Sequence, residues 1–137
     1  MKKLFLFASL ISLASCEIYF YDDPNNGWDD RDLFIGNYEM QEYSEATEQY
    51  YSYSIRIQKS CCRSDEIKIS NFYGADIKVK ALVYVNKVTI PRQVVDGYEV
   101  EGTGKMINGK LNLTFIVRDL RSQPAFTDFL DAEGWPY

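Results

Sequence analysis

The chain contains no histidine, which removes Ser-His-Asp and Cys-His catalysis, imidazole metal ligation and the imidazole proton shuttle together. Other residues could act. Arg92 follows Val88 and Ile90 on the apolar phase of an alternating segment that continues to Val94. Pointed inward, its guanidinium would hold a carboxylate or phosphate bidentately. Two plainer arrangements compete: Pro91 marks a bulge that flips the register, or Arg92 stacks over an aromatic ring such as Tyr38. Glu99 and Glu101 share one strand face about 7 Å apart, a separation that could suit a glycosidase acid–base pair. They alternate with Tyr98 and Val100, however, which places them outward, opposite Lys110 or Asn112. Gly102-Thr103-Gly104 lies within a strand pattern, where glycine permits curvature. The sequence shows no Gly-rich phosphate loop, metal-ligand cluster or nucleophile motif. The expectation is a protein that is not an enzyme and has no cofactor.

Three cysteines remain. Cys61 and Cys62 are adjacent, and neighbouring Cα atoms sit about 3.80 Å apart, below the roughly 4.4 Å floor for a disulfide. They are expected to be free, with Cys61 packing as a small hydrophobe in phase with Ile55 and Ile57 and Cys62 beginning a turn. Cys16 belongs to a different chemistry. Lys2 and Lys3 precede an apolar run from Leu4 to Leu13, the layout of a secretory signal, and too short to span a bilayer permanently. Leu13-Ala14-Ser15-Cys16 resembles the bacterial lipobox. That resemblance implies cleavage after residue 15, a diacylglycerol on the Cys16 thiol and an acylated Cys16 amine. Each buried methylene adds about 0.8 kcal/mol of membrane affinity, so such an anchor holds firmly. Glu17, in place of the Cys-Asp start of lipoproteins retained in an inner membrane, points to the outer membrane, periplasmic or surface side undetermined. Residues 16–32 carry an acidic, Asp-Pro and Asn-Asn-Gly punctuated tether, in which Tyr19, Phe20 and Tyr21 suit either the headgroup level or the outside of the domain.

The elements that must position any site are strands. Apolar residues recur at every second position around Phe34–Met40, Tyr51–Ile57, Ile67–Ile69, Ile77–Val85, Val88–Ile90, Tyr98–Gly102 and Leu111–Val117, with a weaker segment at Phe126–Leu130. Asp96-Gly97 and Asn108-Gly109 are residue pairs that accept the positive φ of tight hairpin turns. Short links make sequence neighbours spatial neighbours. The pattern predicts an all-β, eight-stranded antiparallel up-and-down meander over residues 33–137, closed or nearly closed into a small barrel because closure removes both edges; a β-sandwich is the alternative. Tyr38, Met40, Tyr53, Ile55, Val79, Val83, Tyr98, Val100, Leu113 and Phe115 should share its inner face, with no Asp or Glu in that phase on the strands other than the weak last one.

Gly36-Asn37-Tyr38 is similar to the Gly-x-Trp opening of lipocalins and other calycins. The segment from Lys87 to Arg118, with ITIPRQ, GYEVEGTG and NGKLNLTF, resembles small lipocalin-like lipoproteins of Bacteroidota, the resemblance covering Leu33 to Phe129. It implies an apolar barrel interior, open at one end, that often binds a small hydrophobic ligand. The ligand-binding candidates are then Tyr38, Met40, Tyr53, Arg92, Tyr98 and Phe115. The formal charge of −5 opposes nucleic-acid binding. The partners expected are a membrane, through the N-terminal lipid anchor, and a small apolar or amphipathic molecule. The rival expectation is a structural or protein-interaction lipoprotein with a filled core.

Overall fold

A computed structural model describes residues 27–137; the signal segment, Cys16 and the tether aromatics lie outside the described residues. Eight strands follow a short 3-10 helix, η1 (Asp30–Leu33): β1 (Gly36–Ser44), β2 (Gln49–Lys59), β3 (Glu66–Phe72), β4 (Ile77–Tyr84), β5 (Lys87–Val95), β6 (Tyr98–Ile107), β7 (Lys110–Asp119) and β8 (Phe126–Pro136). Each strand pairs antiparallel with the next, and β8 pairs back onto β1 from Leu130↔Ser44 to Pro136↔Tyr38, closing the barrel. The expected meander is therefore present, and it is a barrel rather than a sandwich.

Local chemistry explains the links. Asp96 and Gly97 have φ 49° and 83°, and Asn108 and Gly109 have φ 50° and 76°, the left-handed pairs that match the twist of two-residue hairpins. Every strand has a paired neighbour on both sides, so hydrophobic burial decides which phase turns inward. Phe34, Ile57, Ile67, Ile69, Phe72, Ile77, Val79, Ile90, Leu111 and Phe115 are among the side chains packed inside. The Phe72 and Phe115 rings meet at 4.6 Å between centroids, tilted by 50°, and fill the waist.

One end of the barrel is shut. The segment read as tether is structured from Asp29 onward: Asp29 caps η1, accepting the Arg31 N–H at 3.0 Å. The Arg31 guanidinium grips the Asp29 carboxylate and donates to the carbonyls of Arg63 at 2.8 Å and Ser60 at 3.3 Å. Asp30 accepts the Val85 N–H at 2.8 Å, which pins η1 to the β4–β5 turn. Phe34, wholly buried, plugs the floor, and Tyr38 donates to its carbonyl at 2.9 Å.

Of the arrangements open to Arg92 the bulge at Pro91 is the one present, while the partner of Glu99 and the packing of Cys61 differ from expectation for geometric reasons. Arg92 is outside the barrel. On β5 the pairing passes from Ile90↔Gly102 to Gln93↔Val100, three residues against two, so Pro91 and Arg92 form a bulge that reverses the phase and leaves Val94 exposed as well. Beside the bulge the Gln93 side chain takes over the β4 ladder, accepting from the Lys80 N–H and donating to the Lys80 carbonyl. Glu99 does face outward, but opposite Arg118 rather than Lys110 or Asn112; it ion-pairs with Arg92 at 2.8 Å and Arg118 at 3.5 Å. Cys61 does not pack: β2 ends at Lys59, Ser60 takes the buried position, and Cys61 and Cys62 are both free and exposed.

Candidate functional site

The other end of the barrel is ringed by the connections 45–48, 73–76, 96–97 and 120–125. There the inward phase changes character. Glu42 and Ser44 continue the inner row of Tyr38 and Met40 along β1, and Asp128 continues the inner row of Leu130 and Ala132 along β8. Glu42 is 1% exposed and Asp128 2%. Two carboxyl groups thus enter the barrel; Asp128 does so from the strand that reads as weak, and Glu42 departs from the expectation that no Asp or Glu shares the inner phase of the others.

Asp128 is satisfied by neighbours. Its Oδ2 accepts the Ser44 hydroxyl at 2.6 Å and the Tyr73 hydroxyl at 3.3 Å, and its Oδ1 accepts the Ala46 N–H at 3.2 Å. Ser44 Oγ in turn accepts the Thr47 N–H at 3.2 Å, fixing the β1–β2 turn over the opening. Glu42 has a thinner shell. Its Oε2 accepts the Tyr53 hydroxyl, while no described residue donates to Oε1. Oε1 therefore keeps a little surface, since no side-chain oxygen among the described residues is both fully buried and unpartnered.

That surface opens on a cleft of about 380 Å³ lined by Glu42, Ser44, Thr47, Tyr51, Tyr53, Tyr73 and Asp128, among others. The volume is near the lower end of the about 300–1,000 Å³ typical of small-molecule sites. Burial pushes the Glu42 carboxyl up to about 7; the Tyr53 hydrogen bond holds it down and the neighbouring Asp128 charge adds to the rise. Tyr53 and Tyr73 are raised above the ordinary phenol range, chiefly by burial and then by the charges of Glu42 and Asp128 respectively. Glu42 can therefore change charge near neutrality, with two phenols that stay protonated beside it. A groove of about 550 Å³ on the outer wall between Tyr43 and Asn112 is larger, but no buried charged group lines it.

The sequence candidates divide by height. Tyr53 lines the cleft. Tyr98 stands at the same end, edge-on to Tyr73 at 6.2 Å between centroids, with the Arg121 guanidinium 4.1 Å over its ring and donating to its hydroxyl. Tyr38, Met40 and Phe115 lie below, in the packed core, and Arg92 is on the outer wall. Sequence reading missed Glu42, Asp128 and Tyr73. For Glu42 the signal existed, because it keeps the parity of Tyr38 and Met40.

No protein-family model matches the sequence, and no curated protein matches it. Among solved structures, a redesigned β-barrel is similar, with a TM-score of 0.58 and 11% identity, over 80% of this chain and 96% of that one. At that identity the likeness shows the fold alone: an eight-stranded antiparallel barrel.

Proposed function

We propose that the chain is a cell-envelope lipoprotein, anchored in the outer membrane through Cys16, whose lipocalin-like barrel binds a small amphipathic molecule at its open end without transforming it. The anchor rests on the signal-like residues 1–15 and the lipobox-like Leu13-Ala14-Ser15-Cys16. The binding reading is carried by one observation: the cleft over Glu42, floored by the packed core and walled by Tyr51, Tyr53 and Tyr73. A barrel shut by η1 and Phe34 at one end and open at the other is in keeping with a calycin-like carrier. The closed waist limits the ligand to the mouth, where a polar group meets Glu42 and an apolar body meets the tyrosines.

The filled core around Phe72 and Phe115 favours a second reading, a structural or protein-interaction lipoprotein. A thermal-melting panel separates the two. Small amphiphiles such as benzyl alcohol, benzylamine and benzoate should include at least one that raises the melting temperature, and Thr47→Trp, which fills the cleft from its rim, should abolish that shift. If no member of the panel stabilises the protein, the structural reading replaces the binding one.

A further inference from the structure

The sequence pointed to an anion, through Arg92. The structure reverses the sign of the site. Among the described residues no cationic side chain lines the cleft, and an anionic ligand would sit against Glu42 and Asp128 at the cost of like-charge repulsion in a poorly solvated site. The rim has the same polarity. The four connections around the opening contribute Glu45, Glu48, Asp76 and Asp96 against one cation, Arg121, and Arg121 is held in two hydrogen bonds of 2.9 Å by Asp119. An acidic rim around a low-dielectric opening draws cations toward it.

Within the opening the hydrogen-bonding demand is equally specific. Asp128 is occupied by Ser44, Ala46 and Tyr73. Glu42 Oε1 has no donor among the described residues, on a residue only 1% exposed that lines the cleft. It calls for a donor, and the strongest donor for a carboxylate is a charged one. The rings of Tyr51, Tyr53 and Tyr73 line the same space, and aromatic rings attract cations as well as apolar bodies. Among the described residues no group of three or more His, Cys, Asp or Glu side chains is placed to hold a metal ion, and the three rings give the cleft a surface suited to an organic cation.

Resting on the binding function proposed for this same cleft, we infer that the mouth selects a small organic molecule bearing a protonated primary amine, its ammonium donating to Glu42 Oε1 and its apolar body lying among Tyr51, Tyr53 and Tyr73. Binding then favours ionised Glu42 and displaces a proton from it wherever it is protonated. The groups that face Glu42 are Tyr53 from β2, Asp128 from β8 and Tyr73 from the β3–β4 connection, with Tyr98 and Arg121 further out; Glu42 is the one that burial places near neutrality.

Isothermal titration of the protein with benzylamine, benzyl alcohol and benzoate at pH 8 tests this. Benzylamine should bind at least about tenfold more tightly than benzyl alcohol, and benzoate more weakly than either. Benzylamine affinity should rise as the pH climbs from 5 to 8 while that of benzyl alcohol does not. Glu42→Gln should erase the preference for the amine but still bind the alcohol; should that variant not fold, the pH series on the unaltered protein makes the same distinction. Equal binding of amine and alcohol, or preference for benzoate, overturns the cation assignment and leaves the binding reading standing. Absence of binding by all three overturns both.

Discussion

Replacing Glu42 by Gln isolates the energetics of the buried mouth. Glu42 titrates at about 7 instead of its usual 4.5, first because it is buried. At 1.36 kcal/mol per pKa unit that difference corresponds to about 3 kcal/mol. Its sign follows from proton counting: between 4.5 and about 7 the folded protein binds more protons here than the unfolded chain, so stability falls as pH rises. The contribution is fully present below pH 4.5 and is lost as the pH climbs through about 7. Few other groups interfere. The chain has no histidine. Asp29, Asp65 and Asp119 are all lowered, each first by the hydrogen bond of a neighbouring arginine, so their contribution is complete above about pH 5. Urea unfolding at pH 5, 6, 7 and 8 should show the unaltered protein losing about 2.5 kcal/mol across the series, the rest having gone below pH 5, and Glu42→Gln remaining nearly flat. Parallel curves, or a stability that rises with pH in both, would refute the placement of an ionisable Glu42 inside the barrel.

Four further outcomes are expected. Gly104→Ala should destabilise the fold by about 1–3 kcal/mol in denaturant titration, because a Cβ there would collide with the Asn112 carbonyl and the Leu113 side chain across the β6–β7 pair. Arg92→Met should leave both the melting temperature and the binding of any mouth ligand unchanged, since Arg92 lies on the outer wall; a lost thermal shift would return it to the site. Thiol titration of the native protein carrying Cys16→Ser should find two reactive groups, Cys61 and Cys62, both free and exposed; finding none would contradict the β2–β3 loop as it stands. Metabolic labelling with a fatty acid should mark the unaltered protein and not Cys16→Ser; equal labelling would remove the anchor from the proposed function.

The wall was legible and the mouth was not, for one reason. Inside the waist the environment is dry, so period-two apolar patterning reports the inner face faithfully, and Ile55, Val79, Val100, Leu113 and Phe115 all point inward as expected. At the open end the inner phase carries Glu42, Ser44 and Asp128, which look like solvent-facing residues to any apolar count. Strand β8 shows the difficulty most plainly. Its inner row is Asp128, Leu130, Ala132 and Gly134, while Phe129 and Trp135 face out, so the pattern is nearly inverted and the strand reads as weak and short. Arg92 is a different case, in which the bulge among its alternatives proved to be the arrangement present. Phase is additive along a strand, and a single bulge at Pro91 reverses everything after it; the proline was a visible warning, but only pairing with β6 decides. The partner of Glu99 was legible in principle, since the two-residue Asn108-Gly109 turn sets Glu99 opposite Arg118.

Everything proposed for the barrel depends on its binding at the open end. Amide chemical shifts of the protein titrated with benzyl alcohol and with benzylamine locate binding residue by residue. At least one of the two should perturb Glu42, Ser44, Ala46, Gly74 and Asp128, with η1 and residues 60–66 at the closed end unmoved. Perturbations centred on η1 or on the outer wall near Tyr43 and Asn112, or no site-specific perturbation by either probe, would contradict binding at the mouth.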